Sequence, residues 1–147
     1  NFLFPVGRLD RSSEGLLILT NDGELAYRLT HPKFKVPKTY LVTINGNIQK
    51  PQIVRLLEGI EDRGQLLRAK SVKLLKASSE RSELEIILTE GKNREIRRMF
   101  NRLGFKVHRL IRTRIGPIHL GELRVGKWRF LTKSEVQALY NSANRMD

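Results

Sequence analysis

The chain has 147 residues, 39% of them apolar, enough for one globular domain with its own core, and its 28 Lys and Arg against 15 Asp and Glu leave a net charge of +13. The absence of cysteine excludes disulfides, thiol nucleophiles and thiolate metal sites, and His31, His108 and His119 stand too far apart for a local ligand pair, which speaks against a metal. The longest aliphatic run, Leu16 to Leu19, is far short of the roughly 20 residues that span a bilayer, so the expectation is a soluble protein of a reducing compartment such as the cytoplasm, its partner a polyanion with nucleic acid ahead of a membrane surface.

Taken in chain order, Phe2-Leu3-Phe4-Pro5 enters directly in apolar sequence, and Asn1 is not an initiating residue, so an upstream part is expected to be missing. Gly15 to Thr20 reads as a strand ending in the turn Asn21-Asp22-Gly23, followed by a short helix over Glu24 to Leu29 that stops before Pro32. Tyr40 to Ile44 is β-branched and aromatic, a strand, and Pro51 opens a helix to Leu57. Leu66 to Leu75 and Leu84 to Thr89 suggest a hairpin across the polar Lys76 to Ser82. Ile96, Met99, Phe100 and Leu103 fall on one helical stripe, with Asn93 as N-cap and Gly104 as stop. Lys106 to Ile115 returns as a strand and Trp128 to Leu131 as a short one. Thr132-x-x-Glu135 is a capping box opening a last helix to about Ser142. Hairpins mixed with helices predict an α+β fold whose mainly antiparallel mixed sheet is flanked by helices.

Charge is concentrated between Gly91 and Gly116, where nine Lys or Arg residues accompany one acid, Glu95. Such a surface suits RNA, and equally the solvated face of a basic ribosomal-type protein. Elsewhere Gly7-Arg8-Leu9-Asp10-Arg11 sets one carboxylate in a Gly-flanked loop between two guanidinium groups, which favour its ionised form. By itself that arrangement reads first as a surface salt bridge. Neither Glu14 nor Asp22 forms an evident acid–base or metal pair with it. Tyr40, Val42 and Ile44 share a strand face, so Tyr40 alone reads as core or as site. On the basic helix Arg94 and Arg98 lie opposite the apolar stripe and Arg97 nearer its border, placed for a semi-buried ion pair.

GRLDRSSEGLLILTNDGEL over Gly7 to Leu25, PKTY ending at Tyr40, EGKNREIRRMF over Glu90 to Phe100, IGP over Ile115 to Pro117 and GKWRFLT over Gly126 to Thr132 together resemble, in order and over nearly the whole chain, the RsuA/RluB-type pseudouridine synthases. Ser13 stands where that family usually has Thr, and Glu95 where it has Gln. The resemblance implies a pseudouridine synthase catalytic domain over residues 1–147, N-terminally incomplete because the family's opening segment and small RNA-binding domain would precede it. It implies isomerisation of a specific uridine of ribosomal RNA, the large subunit favoured over the small, with no cofactor, no metal and no membrane. Asp10 matches the catalytic aspartate, Tyr40 the tyrosine against the target base and Arg97 the arginine paired with the aspartate. Leu110 resembles an apolar residue near that aspartate and is equally an ordinary core leucine. Arg8, Arg11, Lys38, Lys92, Asn93, Arg94 and Arg98 are the expected RNA contacts, Arg94 and Arg98 meeting phosphate.

The chemistry fits. Moving uracil from nitrogen to carbon linkage needs a nucleophile that holds one fragment, at C1′ of the sugar or C6 of the base, and a carboxylate can do so without a cofactor; removal of a sugar proton by the aspartate is the alternative the sequence leaves open. The target must also leave its stack, which calls for a flat partner and cationic support, with Tyr40 and Arg8 as candidates. Two rivals are a catalytically silent RNA-binding module and a metal nuclease, which lacks a carboxylate cluster here. Oligomeric state is left open.

Overall fold

A computed structural model describes residues 2–144. After β1 (Phe4–Pro5), β2 (Glu14–Gly15) and β3 (Leu19–Thr20), helix α1 (Gly23–Thr30) leads to β4 (Lys38–Asn45) and α2 (Lys50–Glu58). The small hairpin β5 (Ile60–Asp62) and β6 (Gln65–Leu67) precedes the long hairpin β7 (Ser71–Ala77) and β8 (Arg81–Leu88). Helix α3 (Glu95–Arg102), β9 (Val107–Ile115), β10 (Ile118–His119) and α4 (Lys133–Ala143) complete the chain. The main sheet runs β10-β9-β4-β8-β7, all antiparallel, and β2 joins β9 in parallel, so the fold is the expected α+β type with a mainly antiparallel mixed sheet.

Period-two alternation explains the sheet core. Val42 and Ile44 of β4 and Leu84, Ile86 and Leu88 of β8 are buried with the α3 stripe Ile96, Met99 and Phe100. A second core joins Leu25 and Leu29 of α1 to Leu139 and Ala143 of α4, with Val6, Leu16 and Ile18 from the N-terminal segment. Asp22 caps α1 through Leu25 N (3.1 Å) and also accepts from the Tyr140 hydroxyl (2.6 Å), tying the two helices together. The Thr132 and Glu135 capping box of α4 is formed as expected.

Four expectations are corrected. The strand over Gly15 to Thr20 is broken into β2 and β3, which pair with different partners. Leu66 to Leu75 is split between β6 and β7. The N-cap of α3 is Arg94, not Asn93, in a left-handed conformation (φ 50°) with no side-chain cap. Trp128 to Leu131 forms no strand among the described residues. Trp128 and Phe130 are 74% and 83% exposed and stack edge to face at 5.2 Å, because no neighbouring strand offers them an edge.

Candidate active site

A cleft of about 370 Å³ opens between the loop after β1, the inner strands β4 and β9, and the segment leading into α3. Leu88, Ile96 and Leu110 give it an apolar wall, while Asp10, Lys38, Tyr40, Arg94 and Arg112 supply its polar groups. The sequence elements that are far apart in the chain therefore converge on one concave site. Of the residues expected at the site, Arg8, Asp10, Lys38, Tyr40, Lys92, Asn93 and Arg94 line the cleft, and Arg11, Arg97 and Arg98 do not.

The loop that carries Asp10 is held from behind by two arginines. Arg97 Nη2 donates to the Ser12 carbonyl (2.8 Å). Arg112 donates through Nη1 to the Arg8 carbonyl (3.2 Å) and through Nε to the Leu16 carbonyl (2.9 Å), so it ties together both ends of the loop. Gly15 allows this approach. Its φ of +117° is in glycine territory, and Leu16 N donates to the Arg112 carbonyl at 2.8 Å. The Asp10 side chain is one-third exposed, and its ion-pair partner is Arg94, with Nη1 4.0 Å from Oδ2. Arg97 thus does not make the anticipated direct pair with Asp10. Its guanidinium is committed to backbone carbonyls of Ser12 and, at 3.5 Å, Val107, and the Asp10 charge reaches it only through space.

Arg98, expected at phosphate, is also placed differently. Its Nε donates to Asp62 Oδ2 at 2.6 Å, while Arg102 Nε takes Oδ1 at 2.7 Å. Asp62 is buried, and these two guanidinium groups hold its carboxyl below the usual range. Both arginines point back to the β5–β6 hairpin, where the buried Asp62 carboxylate accepts a charge-assisted hydrogen bond from each. Arg98→Ala should consequently lower the melting temperature by several degrees, since it strips a charge-assisted bond from a buried acid, and should leave RNA affinity nearly unchanged. Thermal melting and RNA titration check both halves.

Glu95 is buried and accepts from Lys92 N (3.2 Å) and Arg68 N (3.4 Å) beside Glu90. Burial first, then the Glu90 carboxyl, push its pKa up to about 8. A neutral Glu95 near pH 7 carries, like the glutamine usual in RsuA/RluB-type enzymes, no charge, one carbonyl acceptor and a donor, although an O–H replaces the NH2, so this departure is chemically mild. Its raised pKa means that the folded chain binds more protons than the unfolded one, and the resulting stability is complete below about pH 4.5 and is lost as pH rises through about 8. Glu95→Gln should therefore leave the melting temperature unchanged in acid and raise it by about 3 °C or more near pH 9. Melts across that range would show it. Lys92 is drawn to Glu90 (3.1 Å) and to the Leu66 carbonyl (2.7 Å), which pins the segment before α3.

Arg112 and Asp62 were not singled out from the sequence. A signal for Arg112 existed: Leu110 and Arg112 alternate in β9, so one inward leucine predicts an inward arginine, a position a strand fills with charge only for a partner. Nothing local marks Asp62.

The pattern of one protein family, described as RNA pseudouridylate synthase, matches residues 1–102. The chain is 42% identical over 140 residues to an uncharacterized RNA pseudouridine synthase of Aquifex aeolicus (strain VF5), covering 95% of this chain and 56% of that protein. It is 39% identical over 141 residues to the ribosomal large subunit pseudouridine synthase E of Vibrio parahaemolyticus serotype O3:K6, covering 86% and 59%. A solved pseudouridylate synthase superposes with a TM-score of 0.83 at 38% identity, over 93% of this chain and 59% of that one. The chain thus spans somewhat more than half the length of these relatives. With sequence, fold and relatives in agreement, this chain belongs to the RNA pseudouridylate synthase family.

Proposed function

We propose that the protein converts one uridine of ribosomal RNA, the large subunit favoured over the small, to pseudouridine, with Asp10 as nucleophile. The observation that carries this reading is a partly exposed carboxylate in a mostly cationic cleft that also contains a tyrosine, Tyr40. Asp10 attacks C1′ of the ribose or C6 of the base. The C1′–N1 bond breaks with its electron pair going to N1, the uracil turns while held, C5 bonds to C1′, and the bond to Asp10 breaks with its electron pair returning to the carboxylate, by displacement from C1′ or by elimination from C6. The C5 proton leaves and N1 gains one, so the product is an isomer and no cofactor is consumed. Tyr40 packs against the unstacked base, Arg94 pairs with Asp10, and Arg8, Arg11, Lys92 and Asn93 support the displaced backbone. Arg97 acts here as a positioning residue for the Asp10 loop. The name of the Vibrio relative supports the large subunit as substrate. A ribosomal substrate also fits the cytoplasm.

Ribosomal RNA carrying C5-tritiated uridine tests the reading. Tritium should be released in step with pseudouridine formed and with the strand intact. Retained tritium with bound RNA would leave only a binding module, and a shortened strand would indicate a nuclease.

A further inference from the structure

The floor of the cleft holds two buried cations that the reaction as written above does not use. Lys38 is 7% exposed and Arg112 is 2% exposed, and both line the cleft. Arg112 spends Nη1 and Nε on carbonyls of the Asp10 loop, and its Nη2 is buried with no hydrogen-bond partner among the described residues. Lys38 joins no ion pair among those residues. Tyr40 lies opposite Arg112 in the register of β4 and β9, and regular alternation along β4 puts the buried Lys38 on the same face as Tyr40, Val42 and Ile44.

Two buried cations without a counter-charge carry a desolvation cost that a bound anion would offset. We infer that Lys38 and the free Nη2 of Arg112 form an oxyanion subsite that receives an anionic oxygen of the target nucleotide beside Asp10. This rests on the isomerase reading of the same cleft. Two oxygens share the required chemistry. One is a carbonyl oxygen of the detached uracil, which takes up the negative charge when the N1 electron pair delocalises. The other is a phosphodiester oxygen next to the target. Burial, and after it the Arg112 charge, lower the Lys38 pKa to about 8, and a bound anion would offset both.

Lys38→Met and Lys38→Arg separate the possibilities. Removing a buried charge lifts a desolvation cost, so Lys38→Met should melt no lower than the parent. Binding is measured on short oligouridylate, with and without methylphosphonate replacing its phosphodiesters, and single-turnover rate on ribosomal RNA at saturating enzyme. If phosphate occupies the subsite, Lys38→Met weakens oligouridylate binding about tenfold or more, and methylphosphonate abolishes the difference. If the uracil oxygen does, affinity stays within about threefold while the rate falls by about a hundredfold or more. Lys38→Arg should restore part of the loss in either case. Affinity and rate both within about threefold of the parent, or an arginine no better than methionine, would overturn the subsite. A parent chain that forms no pseudouridine defeats the isomerase reading instead, and the subsite then stands or falls on the oligouridylate affinities alone.

Discussion

Asp10→Asn is expected to reduce the single-turnover rate of pseudouridine formation by about four orders of magnitude or more, the scale seen when a nucleophile is deleted from a prearranged site. The amide keeps the shape of the carboxylate and loses its negative charge and nucleophilicity. Little else should change. The Asp10 side chain is one-third exposed, and its ion pair with Arg94 is a long one at 4.0 Å, so it contributes little to stability. Melting temperature should stay within a degree or two, and RNA affinity should hold or improve slightly as a negative charge leaves a basic cleft. Rate measured at saturating enzyme, alongside a thermal melt, separates chemistry from folding. Turnover within a few-fold of the parent would remove Asp10 from the mechanism.

The second large effect belongs to a residue that touches no substrate. At Gly15 a β-carbon would lie 2.2 Å from the Arg112 carbonyl oxygen and 2.5 Å from its amide nitrogen, both backbone atoms that cannot swing aside. The φ of +117° adds conformational strain for any L side chain. Gly15→Ala must therefore push β2 away from β9, and the Leu16 carbonyl that Arg112 holds moves with it. A cost of about 3 kcal/mol is expected, roughly 6–12 °C in melting temperature for a chain of this size. Activity should fall further than unfolding accounts for, because the same displacement misplaces Asp10. Assays well below the variant's own transition isolate that second loss. Gly91→Ala serves as the control, since Gly91 lines the same cleft but has open space around its β position and should tolerate the change. Equal stability of the two variants would contradict the close packing of the Asp10 loop on β9.

The role of Arg97 illustrates how a helical wheel can be right about a position and incomplete about its partner. Angular spacing puts Arg97 at the border of the apolar stripe, and there it is half-buried beside the Asp10 loop. It reaches that loop through the Ser12 carbonyl, and Arg94, turned by its left-handed backbone, comes closer to the carboxylate. Periodicity carries no information on which of two neighbouring arginines finds the acid.

Local rules determined much of this protein from sequence. Ile96, Met99 and Phe100 specify α3 because their spacing closes one apolar face, Thr132 and Glu135 start α4 because their side chains satisfy free amides, and alternation in Tyr40 to Ile44 and Leu84 to Thr89 marks β4 and β8. The long motifs likewise placed Asp10, Tyr40 and the basic helix in a known chemical family. Tertiary structure alone decided where the charges go. The pairing of Arg98 with Asp62 spans 36 residues, and the grip of Arg112 on the Arg8 and Leu16 carbonyls about a hundred. Alternation along β4 puts Lys38 on the Tyr40 face, and only the pairing of β4 with β9 brings Arg112 to that face. Trp128 to Leu131 has the residues of a strand and no ladder among the described residues, since a strand exists only where a neighbour supplies the other half of its hydrogen bonds.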